Sequence, residues 1–495
     1  MNTLVIFGAS GDLTSRKLIP SLYRLFVKGR LPEPLVIVGF SRTPKSDDGW
    51  QDELKQTTER FLGKSFDAAR WEKFAPMIHY QPGDIGSAES FNALEKRLRD
   101  LESGPADRLY YLSTAPKFYE ETVRRLGEAG MAAEAEQASR RVVIEKPFGT
   151  DLASAQALND AIHHVFDERQ IYRIDHYLGK ETVNNILVLR FANTIFEPIW
   201  NRNYIEHIQI TANEEVAVGR RVAFYETAGV LRDMFQNHLL QILTFVTMEA
   251  PSRFEAKAVR DEKVKVLQAI RPMSREQIVT DTLRGQYRSY RDEEGVAHDS
   301  RTATFAAMKL QIDNWRWKDV PIFLRSGKAM GCRTTQILVQ FHRPPHSMFE
   351  VNGNPDTMPH DANRLLIQVQ PAEGIQIYFQ TKVPDTDMEM RMTELNFNFQ
   401  SSFRGEMPES YERLLLDAMH GDASLFARSD EVETAWSIID PIQKAWDRNP
   451  HDPEFYETGS WGPPGSDEWM MRHGHRWFDL CPLLDLPREV GEKGE

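Results

Sequence analysis

The sequence predicts an N-terminal α/β domain with a Rossmann-like, doubly wound parallel sheet, followed by a larger α+β domain with a mainly antiparallel sheet. Three observations predict it. Short apolar runs alternate with helical patterns through the first third of the chain. A glycine-bearing turn joins the first apolar run to the first helix. After about residue 300, runs of period two follow one another across short polar connections. At 495 residues the chain exceeds one ordinary core. The expected division is 1–175 for the nucleotide-type domain and 176–495 for the second, with ligand in the crevice between them.

The elements follow in order. Leu4 to Phe7 is a short apolar run ending at Gly8. Leu18, Leu22, Leu25 and Phe26 then recur at helical spacing. Leu35 to Phe40 predicts a second buried strand, Trp50 to Leu62 a polar helix, and Arg108 to Ser113 and Arg141 to Gly149 later strands. Asp151 and Thr150 are both candidates to cap the helix after Gly149. Beyond about residue 180 the character changes. Leu231, Met234, Phe235, His238, Leu239 and Ile242 stripe one long helical pattern over Ala228 to Thr247. Segments 302–312, 320–327, 335–341, 364–370 and 374–380 alternate as strands of an antiparallel meander. Residues 343–361 read as a loop rich in Pro, Asn and Asp, 408–447 as helices, and the tail after Trp477 as irregular and charged.

Composition excludes several classes. Hydrophobic residues make up 41% and charged residues 27%, as in soluble globular proteins. The formal net charge of -13 disfavours nucleic acid, whose phosphates need a basic surface, but leaves room for a local basic pocket. No apolar run of membrane-spanning length is present, and the N-terminus reads as a strand, so neither membrane nor secretion is expected. The two cysteines, Cys332 and Cys481, lie in no CxxC pair, so no disulfide framework or zinc knuckle is expected. A reducing cytoplasm fits, and no metal is required.

The coenzyme end begins at the first turn. Gly8-Ala9-Ser10-Gly11-Asp12-Leu13-Thr14 follows a strand and opens a helix. Glycines let backbone approach a pyrophosphate, and the helix start offers N–H groups and a positive dipole end. The pattern lacks the third glycine of GxGxxG, so its position in the chain carries the case. The second strand ends in Ser41-Arg42-Thr43. An acidic residue there suits the ribose hydroxyls of NAD; Arg42 suits the 2′-phosphate of NADP.

Three segments carry the chemistry. Glu145-Lys146-Pro147 closes a parallel strand, where a lysine can reach both coenzyme and substrate, although on this segment alone a strand-end ion pair is the stronger reading. In Asp175-His176-Tyr177-Leu178-Gly179-Lys180, a helical turn from Asp175 would put His176 and Lys180 on one face, able to grip a phosphate. His238 lies on the apolar stripe, where a satisfied core histidine also belongs; oxidation of a hydroxyl needs a base of this kind near neutral pH. Asp233, five residues earlier, would stand about 140° away on an α-helix. A carboxylate from elsewhere must then orient the imidazole, and Asp175 is the candidate.

GASGDLTSRKLIPSLY, EKPFG, RIDHYLGKE, RDMFQNHLLQ, RGQY, WRW and VPIFLRSGKAM together resemble the glucose-6-phosphate dehydrogenase family over nearly the whole chain. The resemblance implies oxidation of glucose 6-phosphate at C1 to 6-phosphogluconolactone with NADP, in the oxidative pentose phosphate pathway. It implies His238 as general base with Asp175 as partner, and His176, Tyr177 and Lys180 as phosphate grip. Lys146 is implied at substrate and coenzyme, with a cis bond at Pro147. Glu214 and Asp233 are implied as acceptors for sugar hydroxyls, and Lys328 and Arg333 as further substrate contacts. Gly8 to Thr14, Arg42, Tyr119 and Lys146 are implied at the coenzyme, and a homodimer or homotetramer as the assembly. Some relatives hold a second coenzyme using a lysine just after the position of Arg333; Thr334 stands there, so a second site is not expected. The competing expectations are an NADP-linked oxidoreductase of an unphosphorylated sugar and a non-catalytic NADP-sensing scaffold.

Overall fold

The computed structural model describes residues 1–346, 362–403 and 407–481. The chain divides into two units. The first comprises Met1–Glu181 with two returning segments, Glu249–Lys265 and Pro408–Ser437. The second comprises Thr182–Met248, Val266–Met407 and Ile438–Glu495.

The first unit is built on six parallel strands. They are β1 (Asn2–Phe7), β2 (Leu35–Ser41), β3 (Ile78–Pro82), β4 (Asp107–Leu112), β5 (Arg140–Ile144) and β6 (Ile171–Arg173). Their order is β3-β2-β1-β4-β5-β6. Strand order therefore reverses between β1 and β4, so the crevice above their carboxyl ends is the expected ligand position. Leu4 to Phe7 are fully buried, as a central strand covered on both faces requires. The returning segments complete this unit. Ala427 N–H bonds to Arg173 O along the edge at β6, and Trp436 enters the core and donates its indole N–H to Phe148 O.

Among the described residues, the second unit centres on nine strands: β7 (Ile205–Asn213), β8 (Thr282–Tyr287), β9 (Phe305–Leu310), β10 (Ile322–Gly327), β11 (Thr334–Phe341), β12 (Arg364–Gln370), β13 (Gly374–Lys382), β14 (Met390–Asn398) and β15 (Glu454–Tyr456). Their order is β14-β13-β12-β11-β7-β10-β9-β8-β15. The sheet is mainly antiparallel, as expected, but it is no simple meander. β7 inserts between β11 and β10 and runs parallel to β10; β15 is parallel to β8. Polar side chains disguise β7 in the sequence. His207, Gln209, Thr211 and Asn213 are all buried, and Gln209 and Thr211 bond to Arg476 O and Arg325. Gln209 and Thr211, so satisfied, sit in the core without apolar alternation. Residues 347–361 of the expected loop lie outside the described residues.

Two local expectations are corrected. The single helix over Ala228 to Thr247 is three pieces: Val222–Val230, broken at Gly229 (φ 57°), a π-helical stretch Leu231–Leu239, and Leu240–Thr247. The cysteines are not independent: Cys332 and Cys481 form a disulfide with Cα atoms 6.0 Å apart. The pair is separated by 149 residues, so no local spacing announces it. Among the described residues, no helix is long and apolar enough to cross a membrane.

Candidate active site

In the first unit, Gly8 turns the chain with φ +84°. A Cβ there would sit 2.2 Å from Ser113 O, so β1 and the loop after β4 approach as closely as only glycine allows. The turn is held by Gly8 and Ala9 N–H bonds to Phe40 O, a Gly11 N–H bond to Gly8 O, and a hydroxyl pair between Ser10 and Ser41. The helix begins at Asp12, with Ser15 N–H bonded to Gly11 O, and is π-helical over Thr14–Leu18. Gly8, Ser10, Gly11, Ser41, Arg42 and Thr114 line a cleft of about 320 Å³. Glycine turn, helix start and cleft fit the pyrophosphate of a dinucleotide. Arg42 faces this cleft without an ion pair among the described residues. Phe118 forms the wall near the next strand end, and Tyr119 packs behind it, 1% exposed, in the core.

β5 is followed directly by Glu145 and Lys146, and the Lys146–Pro147 bond is cis. Glu145 Oε1 accepts both the Tyr111 hydroxyl (2.5 Å) and the Tyr411 hydroxyl (3.1 Å). Burial raises the Glu145 carboxyl above its usual range, and the phenols and Lys146 oppose the shift. Asp151 caps the next helix by accepting Ser154 N–H.

Asp175 follows β6 and is buried. Its Oδ1 accepts Tyr177 N–H at 2.9 Å, and its carbonyl accepts Leu178 N–H. This is a tight turn, and the helix starts only at Glu181. The helical face expected for His176 and Lys180 is therefore corrected. The two meet through Tyr177 instead: the His176 ring lies 5.0 Å from the Tyr177 ring, and Lys180 Nζ lies 5.0 Å over that same ring. Gly179 is required because a Cβ would meet Ser410 O at 2.5 Å.

In the second unit, β7 and β10 pair in parallel with Asn213 opposite Gly327, so the next residues, Glu214 and Lys328, emerge side by side. Lys328 Nζ pairs with Glu214 and lies 3.7 Å from Asp233 Oδ2. Arg221 reaches Asp233 from the other side at 3.5 Å. His238 is 1% exposed. Asp233 and His238 both lie on the π-helical stretch Leu231–Leu239, where the 140° spacing of an α-helix does not apply. Arg333 is exposed, beside Cys332, and makes no ion pair among the described residues. Thr334 is fully buried in the sheet.

One other cluster offers metal-type ligands. Atoms of Glu206, His207 and His475 lie within 4.8 Å of one another. Gln209 donates to His207 Nε2, and its amide is pinned by Arg476 O and Phe478 N–H. The proton of His207 thus sits on Nδ1, the nitrogen facing the cluster. Burial pushes His207 down to about 3. The ring stays neutral but turns a proton, not a lone pair, toward the centre, which disfavours a cation.

The Rossmann sheet with its anion-ready cleft, and in the second unit the buried His238, Asp233 and Lys328 beside Glu214, are those of a two-domain nicotinamide-dependent dehydrogenase. Comparison with known proteins narrows the class. Residues 5–185 match the model "Glucose-6-phosphate dehydrogenase, NAD binding domain", and 187–478 match "Glucose-6-phosphate dehydrogenase, C-terminal domain". The chain belongs to the glucose-6-phosphate dehydrogenase family. It is 42% identical to the glucose-6-phosphate 1-dehydrogenase of Chlamydia muridarum, covering 96% of each chain, and 41% identical to that of Bacillus subtilis, covering 96% of this chain and 98% of the relative. A solved structure of glucose-6-phosphate dehydrogenase in complex with its substrate glucose 6-phosphate matches with TM-score 0.89 at 35% identity, over 97% of this chain and 98% of that one. The Mycobacterium avium enzyme matches with TM-score 0.83 at 34% identity, over 97% and 100%.

Proposed function

We propose that this chain oxidises glucose 6-phosphate at C1 to 6-phosphoglucono-1,5-lactone with NADP, in the oxidative pentose phosphate pathway. The observation that carries the reading is the buried His238 on the same π-helical stretch as Asp233, whose carboxylate meets the Lys328–Glu214 ion pair. His176 and Lys180, with Tyr177 between them, hold the substrate phosphate. Lys328, Glu214, Asp233 and Arg333 engage sugar oxygens. His238, oriented by the Asp175 carboxylate, takes the C1 hydroxyl proton as hydride leaves C1, and Lys146 steadies the reacting end. When bound, the nicotinamide supplies the hydride acceptor. Gly8, Ala9, Ser10, Gly11, Asp12, Leu13 and Thr14 cradle the coenzyme phosphates, with Tyr119 backing the wall.

The direct test is absorbance at the reduced-nicotinamide band, with glucose 6-phosphate or glucose and with NADP or NAD. Turnover with glucose matching that with glucose 6-phosphate would overturn the phosphate grip. Arg42→Ala is expected to raise the KM for NADP by about 10-fold or more while leaving that for NAD nearly unchanged, because a charge-assisted contact to the 2′-phosphate is lost. Equal KM values for NADP in parent and variant would remove Arg42 from the coenzyme site.

The assembly proposed is a homodimer or homotetramer built on the outer strands of the large sheet, working in the cytoplasm. On β14, Leu395 and Phe397 share a face, and Leu395 is 61% exposed. Leu395→Glu is expected to shift the protein toward monomer in sedimentation; an unchanged profile would place the interface elsewhere.

A further inference from the structure

Tyr225 is wholly buried on the helix Val222–Val230. Its hydroxyl oxygen has no hydrogen-bond partner among the described residues. Its aromatic neighbours differ. The Tyr287 hydroxyl donates to Glu293, Tyr290 to Glu226 at 2.6 Å, and Tyr456 to Lys328 O at 2.7 Å. A buried phenol left unpaired is costly and calls for an explanation.

Its surroundings supply one. Lys328 Nζ lies 5.3 Å from the centre of the Tyr225 ring and 3.7 Å from Asp233 Oδ2, so ring and carboxylate flank the same ammonium. Burial, then the charges of Asp233 and Glu214 among its neighbours, keep the phenol protonated well above its usual range. It is a donor under all working conditions.

We infer that Tyr225 is a positioning residue for sugar-hydroxyl recognition, whose hydroxyl donates to Asp233 once substrate draws Lys328 away from that carboxylate. This rests on the proposed function and adds a specificity element to it. In the free protein, Lys328 pairs with Glu214 and shares Asp233 with Arg221. A bound sugar competes for the ammonium with its ring oxygens. Arg221 stays at 3.5 Å from Asp233 Oδ1, so it is the Oδ2 side, facing Lys328, that exchanges a cation for a neutral donor, and Tyr225 is that donor.

Tyr225→Phe keeps the ring over Lys328 and removes only the hydroxyl. The free variant is expected to melt no lower than the parent, because an unpaired buried hydroxyl is lost. Its kcat/KM for glucose 6-phosphate is expected to fall by roughly tenfold. Its discrimination against the 2-deoxy and 3-deoxy analogues is expected to shrink, with the KM for coenzyme unchanged. The rise in melting temperature on adding glucose 6-phosphate is expected to be smaller than in the parent. Parental kcat/KM and discrimination in the variant would overturn the inference, as would a drop in the free variant's melting temperature with an undiminished substrate-induced rise. A parent without turnover of glucose 6-phosphate would overturn the functional reading itself, and is told apart by the parent alone.

Discussion

Replacing His238 with alanine is expected to lower kcat by about 10²–10⁴-fold with little change in the KM for either ligand. The reason is the division of labour in the site. On the proposed reading, sugar binding falls to the Lys328 ammonium and the Asp233 carboxylate, 3.7 Å apart, and phosphate binding to Lys180 over the Tyr177 ring. The imidazole itself acts only when the C1 proton must leave, so its loss removes an interaction made in the transition state alone. Asp175→Asn in the His238→Ala background is expected to cost almost nothing more, because a carboxylate that orients an imidazole has no role once the imidazole is gone. Additive losses in the double variant would mean that Asp175 acts on substrate directly. A kcat within a fewfold of the parent in His238→Ala would return His238 to the satisfied core histidine that its place on an apolar stripe also allows.

The fold and site were legible in the sequence where the information is local. Gly8 and Gly11 after Leu4 to Phe7 announce a strand, a turn and a helix start, and the structure has all three. Arg42 was legible because a strand end fixes where one residue points. Legibility failed where packing decides. Nothing around 408–437 shows that this stretch returns to the first unit, because Trp436 and Ala427 bond to Phe148 and Arg173 only in three dimensions. β7 was hidden by its buried polar residues. The disulfide joins cysteines that have no shared spacing.

The π-helical stretch shows a different limit. Apolar residues at Leu231, Met234, Phe235 and Leu239 fit α-helical spacing, so the sequence pattern cannot distinguish a wide turn from a normal one. The wide turn nonetheless changes the chemistry, because it alters which polar residues share a face. Asp233 and His238, put 140° apart by α-helical projection, belong to one π stretch. Such irregular turns recur at functional positions, where backbone geometry serves the site at some cost to regularity. The break at Gly229 just before it serves the same end, with Val230 N–H bonded to Ala303 O where the chain re-enters the helix.

Lys180→Ala is expected to lower kcat/KM for glucose 6-phosphate by about 10–100-fold, the loss of one charge-assisted contact to a phosphate. Its effect should not be confined to KM. The phosphate is remote from C1, and its binding energy is what holds C1 against the base, so kcat should fall as well. The structure adds a reason for a steep loss. Lys180 does not stand on a helix where a neighbour could replace it. It closes a tight turn whose shape depends on Asp175 accepting Tyr177 N–H and on a Gly179 that no other residue can replace without meeting Ser410 O. Its ammonium rests over the Tyr177 ring, which in turn packs against His176, so one substitution loosens all three members of the grip. Lys180→Arg should recover part of the rate, since charge is kept but the planar guanidinium fits the turn less well. With glucose in place of glucose 6-phosphate, parent and Lys180→Ala should be equally slow, because the contact under test no longer exists. A variant that kept the parent's preference for the phosphorylated sugar would show that the phosphate is held elsewhere.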